Sequence, residues 1–275
     1  MIQLVINADD LGIHPRIDEG IFEAHATGVV TSSTLLATGP TVNGAAKRAR
    51  RESLPVGLHL CLTTHLTPAA KTSDVRWLAP GGRFRRNWAE LSLAWLSRLV
   101  PREEVELEFR AQVERTRQLG LEIDHLDTHQ HLHLLPGLTS IVEALATELN
   151  VPVRWPSERP NAHWLVHPKS ALKSALLAGL ARSKPVGTAR RIPVAGVFES
   201  GRLSEGRLLR LISGLAEGPT EIACHPGYDP GVVKHDPHWH YDWETELAAL
   251  TSRRVRASID ERGISLVSYR QLAKA

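Results

Sequence analysis

The sequence is poor in cysteine, and Cys61 and Cys224 are the only two among its 275 residues. Two cysteines cannot supply the disulfide framework on which small secreted domains depend. There is also no apolar run of the length that spans a bilayer, and the N-terminus lacks the basic and small-residue features of a signal peptide. These absences lead us to expect a cytoplasmic protein with no integral membrane segment.

The sequence also lacks a large excess of charge of either sign. The chain has 33 Lys and Arg against 30 Asp and Glu, a net charge of +3, which gives no indication of a nucleic-acid partner. No G-x-G-x-x-G follows the first predicted strand and no G-x-x-x-x-G-K-[ST] occurs, so nucleotide-phosphate chemistry has no support. Histidine, by contrast, is abundant with 14 residues, and neutral imidazole is the commonest metal ligand in proteins.

Short β-rich runs alternate with helical patterns along nearly the whole chain. Apolar residues at helical spacing, such as Ile17 and Ile21 after Pro15, predict a helix between most of the runs. This order favours an α/β fold, a distorted (β/α) barrel of the TIM type, with an open doubly wound sheet as the alternative. The predicted strands are Gln3–Asn7, Val29–Ala37, Val56–Leu62, Glu122–Thr128, Val151–Trp155, Ile192–Phe198, Glu221–His225 and Ile264–Ser268.

Two stretches interrupt the alternation. Residues 63–100 are predicted to be long and irregular, and residues 156–191 combine several prolines with a short apolar helix near Ala171–Leu180 that is flanked by basic residues. We interpret 1–275 as one domain with loop insertions at about 63–100 and 156–191. Long loops in compact domains often cover a functional site.

Four polar clusters stand at or near the ends of predicted strands. In a parallel sheet these ends lie at one rim, so residues far apart in sequence converge there. A carboxylate with two imidazoles leaves positions open for water and substrate, as in a catalytic metal site. The clusters are Asn7-Ala8-Asp9-Asp10, Gly57-Leu58-His59-Leu60, Asp127-Thr128-His129-Gln130-His131-Leu132-His133 and Cys224-His225-Pro226-Gly227.

Each cluster also has a structural interpretation. Asp9 or Asp10 could cap the next helix, His59 could be a hydrogen-bonded core residue, and His-Pro-Gly could be a turn. The spacing of His129, His131 and His133 does not reveal which of them binds metal. An extended segment would place all three on one face, whereas a helix would pair only His129 with His133.

Five short motifs, in order, resemble those of the YdjC-like carbohydrate deacetylases. They cover the chain from its first residues to about residue 230, and Ser268-Tyr269-Arg270 is similar to the family's ending. The motifs are Asn-Ala-Asp-Asp-Leu-Gly at 7–12, Val-Thr-Ser-Ser-Thr at 30–34, Gly-Leu-His-Leu at 57–60, His-Leu-Asp-Thr-His-Gln-His-Leu-His at 125–133 and Cys-His-Pro-Gly at 224–227.

The resemblance implies a distorted barrel with a divalent metal, magnesium or zinc, held by Asp10, His59 and His129. It further implies that Asp9 is the general base and His225 the general acid. Either Asp127 or a backbone carbonyl could orient a ligand imidazole. The implied reaction removes the acetyl group from an amino sugar.

Two residues depart from the family pattern. Leu11 stands where Phe is usual, which is a packing change, and Gln130 replaces a frequent His, which removes a candidate ligand other than those assigned.

The substrate and partners are less defined. A lipid-linked sugar and a homodimer are both open, and the tryptophans Trp77, Trp88, Trp239 and Trp243 could cover the rim or close hydrophobic clusters. The histidines His235, His238 and His240 could line the site or be solvated. Two rival functions stay open, a metal-dependent hydrolase of another bond on the same barrel and a non-catalytic protein that binds metal or sugar.

Overall fold

The structure is a computed structural model that describes residues 1–156, 175, 179–182, 189–197, 199–229, 231 and 241–272. Within them there are eight strands, and helices lie between most of the strands as the sequence predicts. The strands are β1 (Ile2–Leu11), β2 (Ser32–Leu35), β3 (Val56–Leu60), β4 (Ile123–Thr128), β5 (Val153–Trp155), β6 (Arg191–Ala195), β7 (Gly218–Cys224) and β8 (Ser265–Leu266).

The helices of the described chain cover the outside of the sheet. Two short 3-10 turns, Pro80–Gly82 and His129–Leu134, lie within the loops. Pro15 opens the first helix at a position that needs no backbone N–H donor. The helices are α1 (Pro15–Ala26), α2 (Val42–Glu52), α3 (Trp88–Leu96), α4 (Arg102–Gln118), α5 (Leu138–Leu149), α6 (Glu205–Ser213), α7 (Trp243–Leu250), α8 (Arg253–Glu261) and α9 (Tyr269–Leu272).

Seven parallel strands close into a barrel in the order β1 to β7, because β7 pairs with β1 and β1 pairs with β2. β8 pairs with the first half of β1, where Gln3 lies opposite Ser265, and β2 pairs with the second half, where Asn7 lies opposite Ser32. The predicted distorted barrel is therefore confirmed, and the alternative of an open sheet is wrong.

Apolar side chains between the barrel and its helices form the core. One cluster joins β1 to α1, α2, α7 and α8, and a second joins β3, β4 and β5 to α4 and α5. Val105, Phe109 and Val113, which repeat every four residues, form the buried side of α4 as their spacing predicts. Packing on the outside of the barrel leaves the carboxyl ends of the strands for polar side chains.

Some predicted boundaries are wrong. β2 is shorter than Val29–Ala37, because the regular strand is limited to Ser32–Leu35. The stretch 63–100 is not wholly irregular, since it contains α3, whose first turn Asn87 caps by accepting a hydrogen bond from the Glu90 N–H. Most of the second insertion and its predicted helix lie outside the described residues. None of the helices that the structure describes has the length and apolar character needed to span a membrane.

Candidate functional site

A bulge at the end of β1 brings two consecutive acids, Asp9 and Asp10, close to the same imidazole, that of His59. Successive side chains of a regular strand point to opposite faces. The register of β1 against β2 shifts between Ala8 and Leu11, and Asp10 has a φ of 69°, in the left-handed region that non-glycine residues rarely adopt. Neither acid caps α1, whose N-cap is His14, so the capping interpretation is wrong.

Asp10, His59 and His129 converge on one point. The distances are 3.2 Å from His59 Nε2 to His129 Nδ1, 3.1 Å from His129 Nδ1 to Asp10 Oδ1, and 3.5 Å from His59 Nε2 to Asp10 Oδ1. All three side chains are buried. Donors about 2.1 Å from a shared ion and separated by about 90–110° lie about 3.0–3.4 Å apart, so the spacing fits one small cation.

Asp127 orients the imidazole of His59. Its Oδ1 lies 2.6 Å from His59 Nδ1 and accepts that hydrogen bond, which leaves Nε2 facing Asp10 and His129. Burial lowers the pKa of His59, but the negative charges of Asp127, Asp9 and Asp10 outweigh it and raise the pKa to about 9. The field that holds a proton on His59 also attracts a metal cation.

Arg154 was not identified from the sequence, although it organises the interior of the barrel. It lies on β5 with no exposed surface, and its guanidinium contacts three carboxylates. Its Nη1 lies 2.6 Å from Asp127 Oδ2, and its Nη2 lies 2.5 Å from Glu221 Oε1. One arginine does not neutralise these carboxylates together with Asp10, so the excess negative charge fits a bound cation.

Arg154 also holds Asp9. Its Nη1 and Nη2 donate to Asp9 Oδ2 and Oδ1 at 2.6 and 2.5 Å, while Asn7 Nδ2 and Thr34 Oγ1 donate to Oδ1 at 2.8 and 3.1 Å. Burial raises the pKa of Asp9, but the charge and hydrogen bonds of Arg154 outweigh it and hold the pKa well below its usual value. Asp9 is therefore ionised and fixed in position.

His225 faces Asp9 across the cavity. Its Nε2 lies 3.9 Å from Asp9 Oδ2, and its backbone N–H donates to Glu246 Oε2 at 2.5 Å. The ring of Tyr241 packs on the imidazole with 4.2 Å between centroids. Glu246 and Tyr241 were not identified from the sequence, because each lies in a segment distant from the polar clusters.

The segment His129–Leu134 is neither extended nor a regular helix. It is a 3-10 turn in which Gln130 and His131 both have left-handed φ values, of 59° and 55°. The turn places His129 beside Asp10 and His59, and places His133 beside Thr128, whose Oγ1 lies 2.7 Å from His133 Nδ1. Burial is the main reason that the pKa of His133 falls to about 3, so this imidazole is neutral.

A cavity of about 320 Å³ opens onto the cluster. Its walls include Asp9, His59, His129 and His225, together with apolar and aromatic side chains. Trp88 lines the cavity while 52% of its surface is exposed. Small-molecule sites combine this kind of apolar wall with a few convergent polar groups.

The other tryptophans and histidines that the sequence suggested near the site lie in different places. Trp77 is 47% exposed and is not among the residues that line the cavity, while Trp243 is buried in the core, so the covering role fits Trp88 alone among those described. Trp239, His235, His238 and His240 lie outside the described residues.

A second polar layer lies behind the cluster, where the ring of His125 stacks on Tyr269 with centroids 3.7 Å apart. Asp124 Oδ1 lies 2.6 Å from His125 Nδ1, and the hydroxyl of Tyr269 donates to Glu221, which contacts Arg154. The C-terminal helix α9 is thus connected to the site through buried side chains.

The chain is similar in sequence to several named deacetylases. A carbohydrate deacetylase of Brevibacillus brevis is 33% identical over 98% of this chain and 100% of its own length. The human carbohydrate deacetylase is 33% identical over 98% of this chain and 91% of its own, and the chitooligosaccharide deacetylase of Escherichia fergusonii is 28% identical over 97% of both.

The fold has a solved counterpart. The crystal structure of a suggested cellobiose-phosphate cleavage protein from Enterococcus faecalis V583 has a TM-score of 0.81 and 29% identity, and the match covers 98% of both chains. The family model for YdjC-like proteins matches residues 3–261, nearly the whole chain. The resemblance drawn from the five motifs is confirmed, and this chain belongs to the YdjC-like protein family.

Proposed function

We propose that this protein is a metal-dependent carbohydrate deacetylase, which hydrolyses the N-acetyl group of an acetylated amino sugar. The observation that carries the proposal is the convergence of Asp10, His59 and His129 at a cavity that Asp9 and His225 also line. Relatives that bear the name carbohydrate deacetylase or chitooligosaccharide deacetylase, aligned along nearly the full chain, support the same activity.

Asp10 Oδ1, His59 Nε2 and His129 Nδ1 would hold the divalent cation, which we infer to be Mg²⁺ or Zn²⁺. Asp9, His59 and Asp127 form a second group with close donor atoms, but Arg154 already contacts both of these carboxylates. When bound, the cation would polarise the acetamide carbonyl and lower the pKa of a water molecule. Asp127 keeps its orienting role by fixing the His59 ring.

Asp9 is the proposed general base. Its Oδ1 accepts three of the hydrogen bonds described above, whereas Oδ2 accepts one from Arg154 and faces His225. Oδ2 would take the proton from the attacking water as the new bond from oxygen to the carbonyl carbon forms. The ion pair with Arg154 limits the basicity of Asp9 and at the same time fixes its position.

His225 is the proposed general acid. As the bond between the carbonyl carbon and the sugar nitrogen breaks, protonated His225 would donate a proton to that nitrogen, and acetate and the free amino sugar would leave. Glu246 accepts the backbone N–H of His225 and lies 3.9 Å from the ring Nδ1, so it holds this residue in position beside Asp9.

A direct test is release of acetate from N-acetylglucosamine oligomers by metal-free protein to which Mg²⁺ or Zn²⁺ is added back. A phosphodiester panel run in parallel distinguishes another metal-dependent hydrolysis on the same barrel. We expect acetate release that depends on added metal. Sugar binding without turnover under every metal would instead favour a non-catalytic binder. A cytoplasmic location and a homodimer stay predictions.

A further inference from the structure

The helix α3 exposes apolar side chains on its outward side. Leu93 and Leu96 are 73% and 60% exposed, and Trp88 and Leu99 are 52% and 48% exposed. The inward side of α3 is apolar as well, because Leu91 and Ala94 pack in the core. A helix that is apolar on both sides is normally covered on both sides.

This exposure is concentrated in one part of the described chain. Large exposed apolar side chains number seven in the structure, and five of them lie between Trp77 and Leu99. Single exposed leucines are common on protein surfaces, whereas a contiguous group marks a contact with another apolar surface.

The same stretch of sequence is rich in arginine. Residues 75–102 contain six Arg and no Lys, against Glu90 as the only acid. Arg83 donates to the backbone carbonyl of His65, and no salt bridge joins Arg83, Arg86 or Arg98 to an acid of the described chain. These positive charges are therefore available to an anionic partner. We refer to Trp88, Leu93, Leu96 and Leu99, with Arg83, Arg86 and Arg98, as the α3 face.

The α3 face is continuous with the cavity of the candidate site. Trp88 and Ser92, one turn apart on α3, line the cavity that also contains His129 and His225. Leu96 follows one further turn along the helix. A molecule that covers the α3 face would therefore lie beside the entrance to the site.

The positive charge of the α3 face distinguishes between two partners that could cover it, a second copy of the chain and a lipid bilayer. In a symmetric dimer the α3 face would meet its own copy and bring two sets of unpaired arginines together, which is unfavourable. An anionic bilayer offers negative headgroups for the arginines and acyl chains for the leucines, and tryptophan favours the boundary between them.

We propose that the α3 face docks on the surface of an anionic lipid bilayer, with α3 lying in the interface. The protein would then take an acetylated amino sugar that is attached to a lipid, with the sugar entering the cavity past Trp88. The identity of the sugar rests on the proposed deacetylase function, whereas the docking surface does not.

Co-sedimentation with vesicles tests the docking surface without any turnover. Wild-type protein is expected to bind vesicles of phosphatidylcholine and phosphatidylglycerol in equal parts, and to bind pure phosphatidylcholine much less. Arg86→Ser with Arg98→Ser should weaken binding about 30-fold at low salt, roughly fivefold for each charge. Leu93→Ser with Leu96→Ser should weaken it about tenfold or more.

Matched controls are exposed residues on other helices, Arg253→Ser on α8 and Leu107→Ser on α4, which should bind as the wild type does. Circular dichroism and the urea midpoint verify that each variant folds. Equal binding by wild type and both double variants would overturn the proposal. A second result would also overturn it: wild-type protein that does not bind vesicles but forms a dimer in sedimentation velocity, with that dimer dissociating in the variant Leu93→Ser with Leu96→Ser.

Activity assays separate the two proposals. On a water-soluble N-acetylglucosamine oligomer, Leu93→Ser with Leu96→Ser should release acetate at the wild-type rate. On an N-acetylglucosaminyl lipid in anionic vesicles, the same variant should be at least about tenfold slower. Acetate release from neither substrate by wild type would count against the deacetylase function and leave the vesicle result standing. Equal rates for variant and wild type on the lipid substrate would refute the lipid-borne substrate.

Discussion

Arg154 holds Asp9 through both of its terminal nitrogens, at 2.5 and 2.6 Å, inside a barrel where both side chains are buried. The proposed base is therefore fixed by an ion pair and not by a helix cap or a turn. Because Arg154 also contacts Asp127, which orients His59, one side chain connects the base with the proposed metal ligands.

Asp9→Asn tests the base. Asparagine keeps the size of the side chain but cannot take up the proton, so activity should fall by about a hundredfold or more while the metal stays bound. Steady-state acetate release and metal analysis measure the two effects. Asp10→Asn is the contrasting variant and should lose metal as well as activity. Full activity in Asp9→Asn would remove Asp9 from this role.

His59→Ala and His129→Ala test the ligand set. Each variant removes one of three converging donors, so the dialysed protein should retain little metal by elemental analysis. His65→Ala, which alters an exposed histidine outside the cluster, is the control and should match the wild type. Normal stoichiometry in both ligand variants would show that the cation lies elsewhere.

Arg154→Met tests the buried network. Removing the guanidinium leaves Asp9, Asp127 and Glu221 without their shared cation, and breaking a buried ion pair costs about 3–5 kcal/mol of unfolding free energy. Urea unfolding measures this loss. Arg253→Met, at an exposed position, should change stability by no more than about 0.5 kcal/mol. A near-normal midpoint for Arg154→Met would contradict the network.

Metal affinity should depend on pH through His59. With a pKa of about 9, His59 carries a proton in metal-free protein at neutral pH, and the metal must displace it. Affinity should rise by up to about tenfold per pH unit as pH increases, and level off above about pH 9. Titration calorimetry in two buffers of different ionisation enthalpy should detect about one released proton at pH 7. Affinity that is flat between pH 6 and 9 would disprove this coupling.

Gly57 gives His125 the room to stack on Tyr269. A Cβ at Gly57 would lie 2.2 Å from His125 Cε1, and the ring cannot retreat without losing Tyr269 or Asp124. Gly57→Ala should therefore lower the unfolding free energy by about 1–3 kcal/mol. Gly44→Ala in α2, where no atom lies within 4 Å of the new Cβ, should raise it by about 0.5–1 kcal/mol. The opposite signs make thermal unfolding a clear test.

Much of the barrel was predictable because each strand and helix is encoded locally. Apolar periodicity located α1 and α4, and polar clusters at the predicted strand ends located the residues around His59 and His129. A closed barrel was predicted, but its closure by seven strands with β8 pairing beside β1 was not, because this detail depends on which distant strands become neighbours.

Arg154 was missed for a related reason. Its strand, Val153–Trp155, has the apolar flanks of a core strand, and Asp9, with which it pairs, lies 145 residues away. A charged residue inside an otherwise apolar strand is the signal that could have revealed it, because a buried charge requires a partner. The bulge at Asp10 could not be predicted either, because a single aspartate with a positive φ leaves no periodic pattern in the sequence.

The pairing of β1 with both β2 and β7 sets the order in which the protein is completed during synthesis. β1 is made first, but its partner along Ile2–Ala8 is the segment Gly218–Cys224, which the ribosome delivers more than two hundred residues later. Until then one edge of β1 stays open, and the interior of the barrel stays wet. Contacts of such long sequence separation slow folding and prolong exposure to aggregation, so nascent chains that stop before β7 are the ones most in need of chaperones.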